Sequence, residues 1–182
     1  MQNIDKRKES NLRVRRAITD ALFSLMKETE LSRISIADII RGAGVARVSF
    51  YRNYDSKEDV LTGLVRDVLD EFRDTANYPL SEYMSLCHID RSLQYFDRYR
   101  KYVLNLHNSG YSAMLLDELN QFHAMIAGDM MASSDSRYQI YIFIGALYNT
   151  AIVWLSEEQP KERNTVARIL WEAIAPRKEP SL

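Results

Sequence analysis

A chain of 182 residues with 46% apolar and 27% charged residues has the balance of a globular protein, with room for one sizeable core or for a small domain joined to a larger one. Its net charge of −1 excludes a uniformly basic nucleic-acid coat, but the charge is uneven: residues 1–60 carry 12 Lys/Arg against 9 Asp/Glu, or +3, and residues 61–182 carry 12 against 16, or −4. The single cysteine, Cys87, excludes an internal disulfide framework; Met1 to Ser10 form no signal-peptide core and no apolar run reaches the roughly 18–20 residues of a bilayer span, so a cytoplasmic protein with no membrane partner is expected.

Four prolines and six glycines leave two long stretches without a strong breaker, and no segment alternates with a period of two. The expected class is all-α. Val14, Ile18, Ala21, Leu22 and Leu25 share one helical face and predict a first helix over about Asn11–Thr29. Ser35 is placed to cap a short second helix with Asp38 in its first turns, and Ala43-Gly44-Val45 breaks it. A very short third helix follows over about Ala46–Arg52. Ser56-Lys57-Glu58-Asp59 has the form of a capping box and opens a fourth, whose apolar positions Val60, Leu61, Leu64, Val65, Val68 and Phe72 carry it to about Arg73.

Asn77-Tyr78-Pro79 reads as a break. Beyond it the pattern predicts helices near Ser81–Cys87, Arg91–His107, Ser112–Met131, Arg137–Ser156 and Lys161–Ala175. The chain thus reads as an N-terminal domain, residues 1–60, of three helices, and a C-terminal helical bundle, residues 61–182.

Two short helices joined by a compact turn make a DNA-reading unit when the turn is tight, the inner faces are apolar and the second helix presents donors. Gly44 permits the turn, and Ile36, Ile39, Ile40, Val45 and Val48, with Phe50, are read as the inner faces. Arg47, Ser49, Tyr51, Arg52 and Asn53 supply donors on the reading helix, and Ser35 is placed in the same DNA-binding set.

Ala43-Gly44-Val45, the pair Phe50-Tyr51 and the helix start Ser56-Lys57-Glu58 together resemble the signature of the TetR family of transcriptional regulators, and the resemblance covers about residues 11–73. It implies a helix-turn-helix domain followed by a dimerising bundle. It implies phosphate contacts for Tyr51 and Lys57, with Arg47, Ser49 and Arg52 near base edges. Lys6, Arg7, Lys8, Arg13, Arg15 and Arg16 read either as a backbone-following arm or as a solvated charge run. The chain departs from the family pattern at Ile40, Ala46 and Val48, where many members carry small residues or serine; Val48 is expected to stiffen the reading helix.

The second half is similar to one TetR branch common in Gram-positive bacteria, through Tyr95-Phe96, Tyr99, Tyr102 and Asn108-Ser109-Gly110, and through Gly145-Ala146-Leu147 and Trp154-Leu155. Some members of that branch are coactivators. Nine of the 11 tyrosines lie between Tyr78 and Tyr148, which suggests either a small-molecule effector pocket or a mixed core; Tyr95, Tyr99, Tyr102, Tyr141 and Tyr148 are the candidate ligand residues. The histidines show no ligand-like spacing around Cys87, so no metal or other cofactor is expected, and the thiol is read as buried with the histidines at the surface. No phosphate-binding glycine loop, G-x-S-x-G or H-E-x-x-H suggests an enzyme. Ile140–Leu155 is apolar nearly all round and so needs neighbours on every side, the last helix among them; the resemblance implies that these two final helices form the homodimer contact. The functional expectation is a DNA-binding regulator, a repressor released from a pseudo-palindromic double-stranded operator by a small ligand. The alternative is a DNA-binding protein whose bundle docks a protein partner.

Overall fold

A serine and an aspartate three residues apart set the entry to the reading unit, and a single left-handed glycine sets its turn. The computed structural model describes residues 2–80, 82–128 and 134–174, with side chains described from Glu9 onward except at 134 and 136. The regular elements among these residues are all helical: α1 Gln2–Leu25, a 3-10 turn Leu31–Arg33, α2 Ile36–Ala43, α3 Arg47–Tyr51, α4 Lys57–Asp74, α5 Leu86–Arg98, α6 Arg100–Asn108, α7 Ser112–Ala127, α8 Ser134–Ser156 and α9 Arg163–Ile174. The chain divides into two units, Met1–Val68 and Leu69–Leu182, so α4 gives its residues through Val68 to the first and those from Leu69 to the second.

In the first unit α1 packs on α2 and α3, and α2 on α3. Ile18, Leu22, Ile39, Phe50 and Val60 are wholly buried in its core. Each such side chain contributes roughly 1.5–3 kcal/mol relative to exposure, which is what holds helices of eight and five residues that would not persist alone. Arg15 ties α1 to α4 through its ion pair with Asp67, 2.6 Å, and lies over the Tyr54 ring at 5.1 Å.

In the second unit α8 is central, packing against α5, α6, α7 and α9, while α5 also meets α9. Arg163 of α9 holds Asp90 of α5 in a two-pronged pair at 2.9 and 3.1 Å. Contrary to the sequence expectation, Arg137–Ser156 has the length and hydropathy of a membrane span; half of that stretch is buried within the unit, and packing on four helices accounts for its apolarity.

The second half departs from expectation in two places. Residues 82–85 form no helix; Tyr83 instead turns its ring onto Phe143, 5.4 Å, and Ser85 caps α5 by accepting from the His88 amide, 3.2 Å. Ser81 lies outside the described residues. The helix expected over Arg91–His107 is two, divided at Tyr99, whose backbone leaves the helical region at φ −103° and ψ 18°. No proline or glycine stands there to mark it. The Tyr99 hydroxyl donates to Glu71 of α4 at 2.6 Å, a contact between residues 28 apart in the chain.

Candidate nucleic-acid interface

The reading unit is built by local chemistry. The Ser35 hydroxyl accepts from the Asp38 amide at 3.2 Å, and the Asp38 carboxylate accepts from the Ser35 amide at 3.3 Å and the Ser35 hydroxyl at 2.6 Å, a reciprocal box that starts α2. Those same Ser35 bonds hold the Asp38 carboxyl below its ordinary range. At the far end Gly44 adopts φ 63°, and its N–H returns to the carbonyls of α2. A side chain at this φ is strained, so glycine is what lets α3 begin only three residues later.

On α3 the wholly buried Phe50 is the anchor, and its ring meets Tyr51 edge-on at 5.4 Å. Arg47, Tyr51 and Arg52 are exposed along the outer side. The Arg47 guanidinium lies over the Tyr51 ring at 5.2 Å and donates to its hydroxyl at 3.3 Å. This pairing aligns a cation and a phenol side by side, a suitable pair for adjacent phosphate and base-edge contacts. Ser49 and Asn53 are half-buried, and the Asn53 amide donates to the Ser49 carbonyl at 2.8 Å, closing the end of α3.

Two expectations are corrected. Val48, assigned to the inner face, is 71% exposed; Phe50 fills the interior instead, and a five-residue helix has only one inward position to give. Lys57, expected at phosphate, has its ammonium committed to three main-chain carbonyls: Leu31 at 2.5 Å, Ile34 at 2.9 Å and Ser32 at 3.2 Å. An ammonium has three protons, and all three are used.

Among the candidate arm residues, Arg13 and Arg16 are exposed and Arg15 is bound to Asp67; the side chains of Lys6, Arg7 and Lys8 lie outside the described residues. An open cleft of about 460 Å³ beside the end of α3 is lined by Arg52 and Arg66 but also by Asp55, Asp59 and Asp67, a mixed charge poorly suited to holding phosphate within it.

The candidate ligand tyrosines do not form one group. Tyr95, Tyr99 and Tyr102 follow one another with ring centroids 6.2 and 6.5 Å apart. Tyr95 and Tyr99 both donate to Glu71, at 3.4 and 2.6 Å. Tyr148 is buried and bonded to His107 at 2.9 Å. Tyr141 is apart from these: it is exposed on α8 with Arg137 over its ring at 5.8 Å.

The polar centre of the second unit is a pair the sequence reading placed at the surface. His88 is 0% and His123 2% exposed, while Cys87, read as buried, is exposed. Their Nε2 atoms lie 3.1 Å apart inside a ring of Phe72, Phe122, Phe143 and Tyr83. The Leu119 carbonyl, 2.8 Å from His123 Nδ1, can only accept, so that nitrogen carries the proton. His123 Nε2 is then an acceptor, His88 Nε2 donates to it, and His88 Nδ1 accepts from the Tyr78 hydroxyl at 3.3 Å. The helical spacing held the signal: His88 stands four residues before buried Ser92, and His123 four after buried Leu119.

Residues 18–64 match the family described as bacterial regulatory proteins, tetR family. A curated relative, the uncharacterized HTH-type transcriptional regulator YxbF of Bacillus subtilis (strain 168), is 22% identical over 167 residues, 87% of this chain and 44% of the relative, so the chain spans under half of that protein's length. Among solved structures, a TetR transcriptional regulator from Streptococcus agalactiae 2603V is similar with a TM-score of 0.63 at 20% identity, over 94% of this chain and 98% of that one. The dihydroxyacetone kinase operon activator DhaS is similar with a TM-score of 0.57 at 15% identity, over 88% and 93%.

Proposed function

We propose that the chain, whose residues 18–64 match the TetR family of bacterial regulatory proteins, is a homodimeric regulator of that family that sets two copies of α3 on a pseudo-palindromic operator and releases it, as a repressor, when a small molecule occupies the second unit. The observation that carries the DNA reading is the outer side of α3: Arg47, Tyr51 and Arg52 exposed on the second of two short helices fixed by Gly44. A helix of five residues reaches too few bases for useful selectivity, so two copies are needed.

The dimer reading rests on α8 and α9. Tyr138, Tyr141 and Ile142 are exposed on α8, the last two three and four residues after the first, Val153 is exposed about three turns further along the same side, and Gly145 on that side has open space where a side chain would point. Ile169 and Trp171 are exposed on α9. Apolar surface gathered on the last two helices, with a glycine allowing close approach, fits a second copy. The effector reading rests on Tyr95, Tyr99 and Tyr102; Tyr148 stays with it as a neighbour of His107, whereas exposed Tyr141 belongs with the dimer face. The solved activator of similar fold makes activation the alternative outcome of operator binding.

The test is selection of bound duplexes from a random pool by the full chain, with the mass measured by light scattering. An inverted repeat with half-sites one helical turn apart, about 10 base pairs, and twice the chain mass are expected. Ile142→Glu should give monomer and weaken operator binding by about tenfold or more, because it puts a charge into the apolar contact. Equal affinity for selected and scrambled duplexes would remove the specific-regulator reading, and a monomer at micromolar concentration would remove the dimer.

A further inference from the structure

We propose that Val48 is a specificity-determining residue that packs against the C5-methyl group of a thymine in the major groove. The inference rests on the reading of α3 as the groove-facing helix and adds what that helix recognises. Val48 is 71% exposed, the most exposed large apolar side chain among the described residues. A lone exposed valine on an ordinary surface needs no account. This one stands between Arg47 and the reading-helix donors Tyr51 and Arg52, on the side of α3 turned away from Phe50.

Placed in the groove, an isopropyl group has no donor or acceptor with which to read a base edge. Of the features the major groove displays, the thymine methyl is the one that rewards apolar contact. Against cytosine N4 or guanine O6 the same valine would remove water from a polar group and return no hydrogen bond, so the residue selects by penalty as well as by attraction. Its position suits the role. Branching at Cβ restricts the side chain to few rotamers on a helix, giving a knob of fixed direction. Ala46, exposed two residues earlier at the N-cap and making no side-chain cap bond, adds no bulk or hydroxyl ahead of it.

The experiment uses the full chain and its selected duplex, with each thymine replaced in turn by deoxyuridine, which removes the methyl and leaves the pairing and the groove hydrogen bonds intact. One thymine per half-site should be sensitive, its replacement weakening wild-type binding about fourfold per half-site and about fifteenfold when both are changed, the worth of roughly one buried methyl each. Val48→Ala should bind the thymine duplex more weakly and show no deoxyuridine penalty at that position. Its melting temperature should match wild type, since Val48 covers no core, so a lost penalty cannot be ascribed to misfolding. A selected duplex in which no thymine is sensitive, or in which Val48→Ala keeps the full penalty, overturns the proposal while leaving the DNA reading in place. Failure to select any sequence overturns both.

Discussion

Lowering the pH from 7.5 to 5 should remove up to about 4 kcal/mol of folding stability, through two histidines that must stay neutral in the fold. Burial, with the neighbouring His123 and Arg91 adding to it, pushes the His88 pKa well below its ordinary value; burial does the same at His123, only partly offset by the Leu119 carbonyl. Each ring nitrogen of the pair already has a partner: Tyr78 to His88, His88 to His123, and His123 to Leu119. A further proton on His123 Nε2 would set two N–H groups facing each other, and one on His88 Nδ1 would require the Tyr78 hydroxyl to turn and accept where it now donates. The remaining rings around the pair, from Phe72, Phe122, Phe143 and Tyr83, offer no acceptor of comparable strength.

The unfolded chain has no such restriction and binds both protons as the pH falls through about 6.5. Stability contributed by a depressed pKa is complete above that value. It declines below it by up to about 1.4 kcal/mol per pH unit for each histidine until the folded values are reached. The window lies above the ordinary carboxylate range, so acidic side chains add little to the slope. Denaturant titrations at pH 7.5, 6.5, 5.5 and 5 measure it. The double substitution His88→Leu with His123→Leu should flatten the dependence, since it removes both titrating rings and the bond between them together, leaving the part-buried Tyr78 hydroxyl to turn to solvent. Wild-type stability independent of pH across this range would refute the neutral-pair account.

What the sequence made legible was local. The Ser35–Asp38 box, the Gly44 turn and the Ser56–Asp59 box each close within four residues, and all three form as their residue types require. Periodicity identified the apolar stripe of α4 because that helix is 18 residues long. On α3 the same method had little more than one turn to work with, and it assigned Val48 inward when Phe50 alone is buried there. The other departures are contacts between distant residues. Lys57 finds carbonyls 23 to 26 positions back, His88 meets His123 across 35, and the break at Tyr99 accompanies a bond to Glu71 across 28. A histidine's residue type favours the surface; only its place on the buried stripes of α5 and α7 points inward, and residue type outweighed spacing in the reading. Tyr141 shows the reverse case. Tyrosine composition grouped it with a pocket, but it stands on the exposed side of α8, one position before Ile142.

Lys57→Met is expected to cost about 2–3 kcal/mol of stability and to leave the salt dependence of DNA binding unchanged. The 3-10 turn Leu31–Arg33 ends just ahead of α2; the Ile34 amide returns to the Leu31 carbonyl at 3.0 Å, and the carbonyls at this end carry partial negative charge. Leu31 and Ile34 are 5% and 4% exposed, so solvent has poor access to the residues that bear two of these carbonyls. Lys57, in the first turn of α4, brings a full positive charge to three of them and so fixes the approach to Ser35, where α2 begins. Methionine keeps most of the apolar stem and removes the ammonium. A lysine serving phosphate would behave differently: losing it would flatten the salt slope by about one counterion per subunit, as Arg47→Ala or Arg52→Ala should. Reaching a phosphate from its present position would require Lys57 to surrender three charge-assisted hydrogen bonds, a loss that one exposed phosphate contact does not restore. Denaturant midpoint and salt slope, measured on the same variant, separate the two roles. A Lys57→Met protein of wild-type stability whose slope falls by one would show that the ammonium leaves its carbonyls for the DNA.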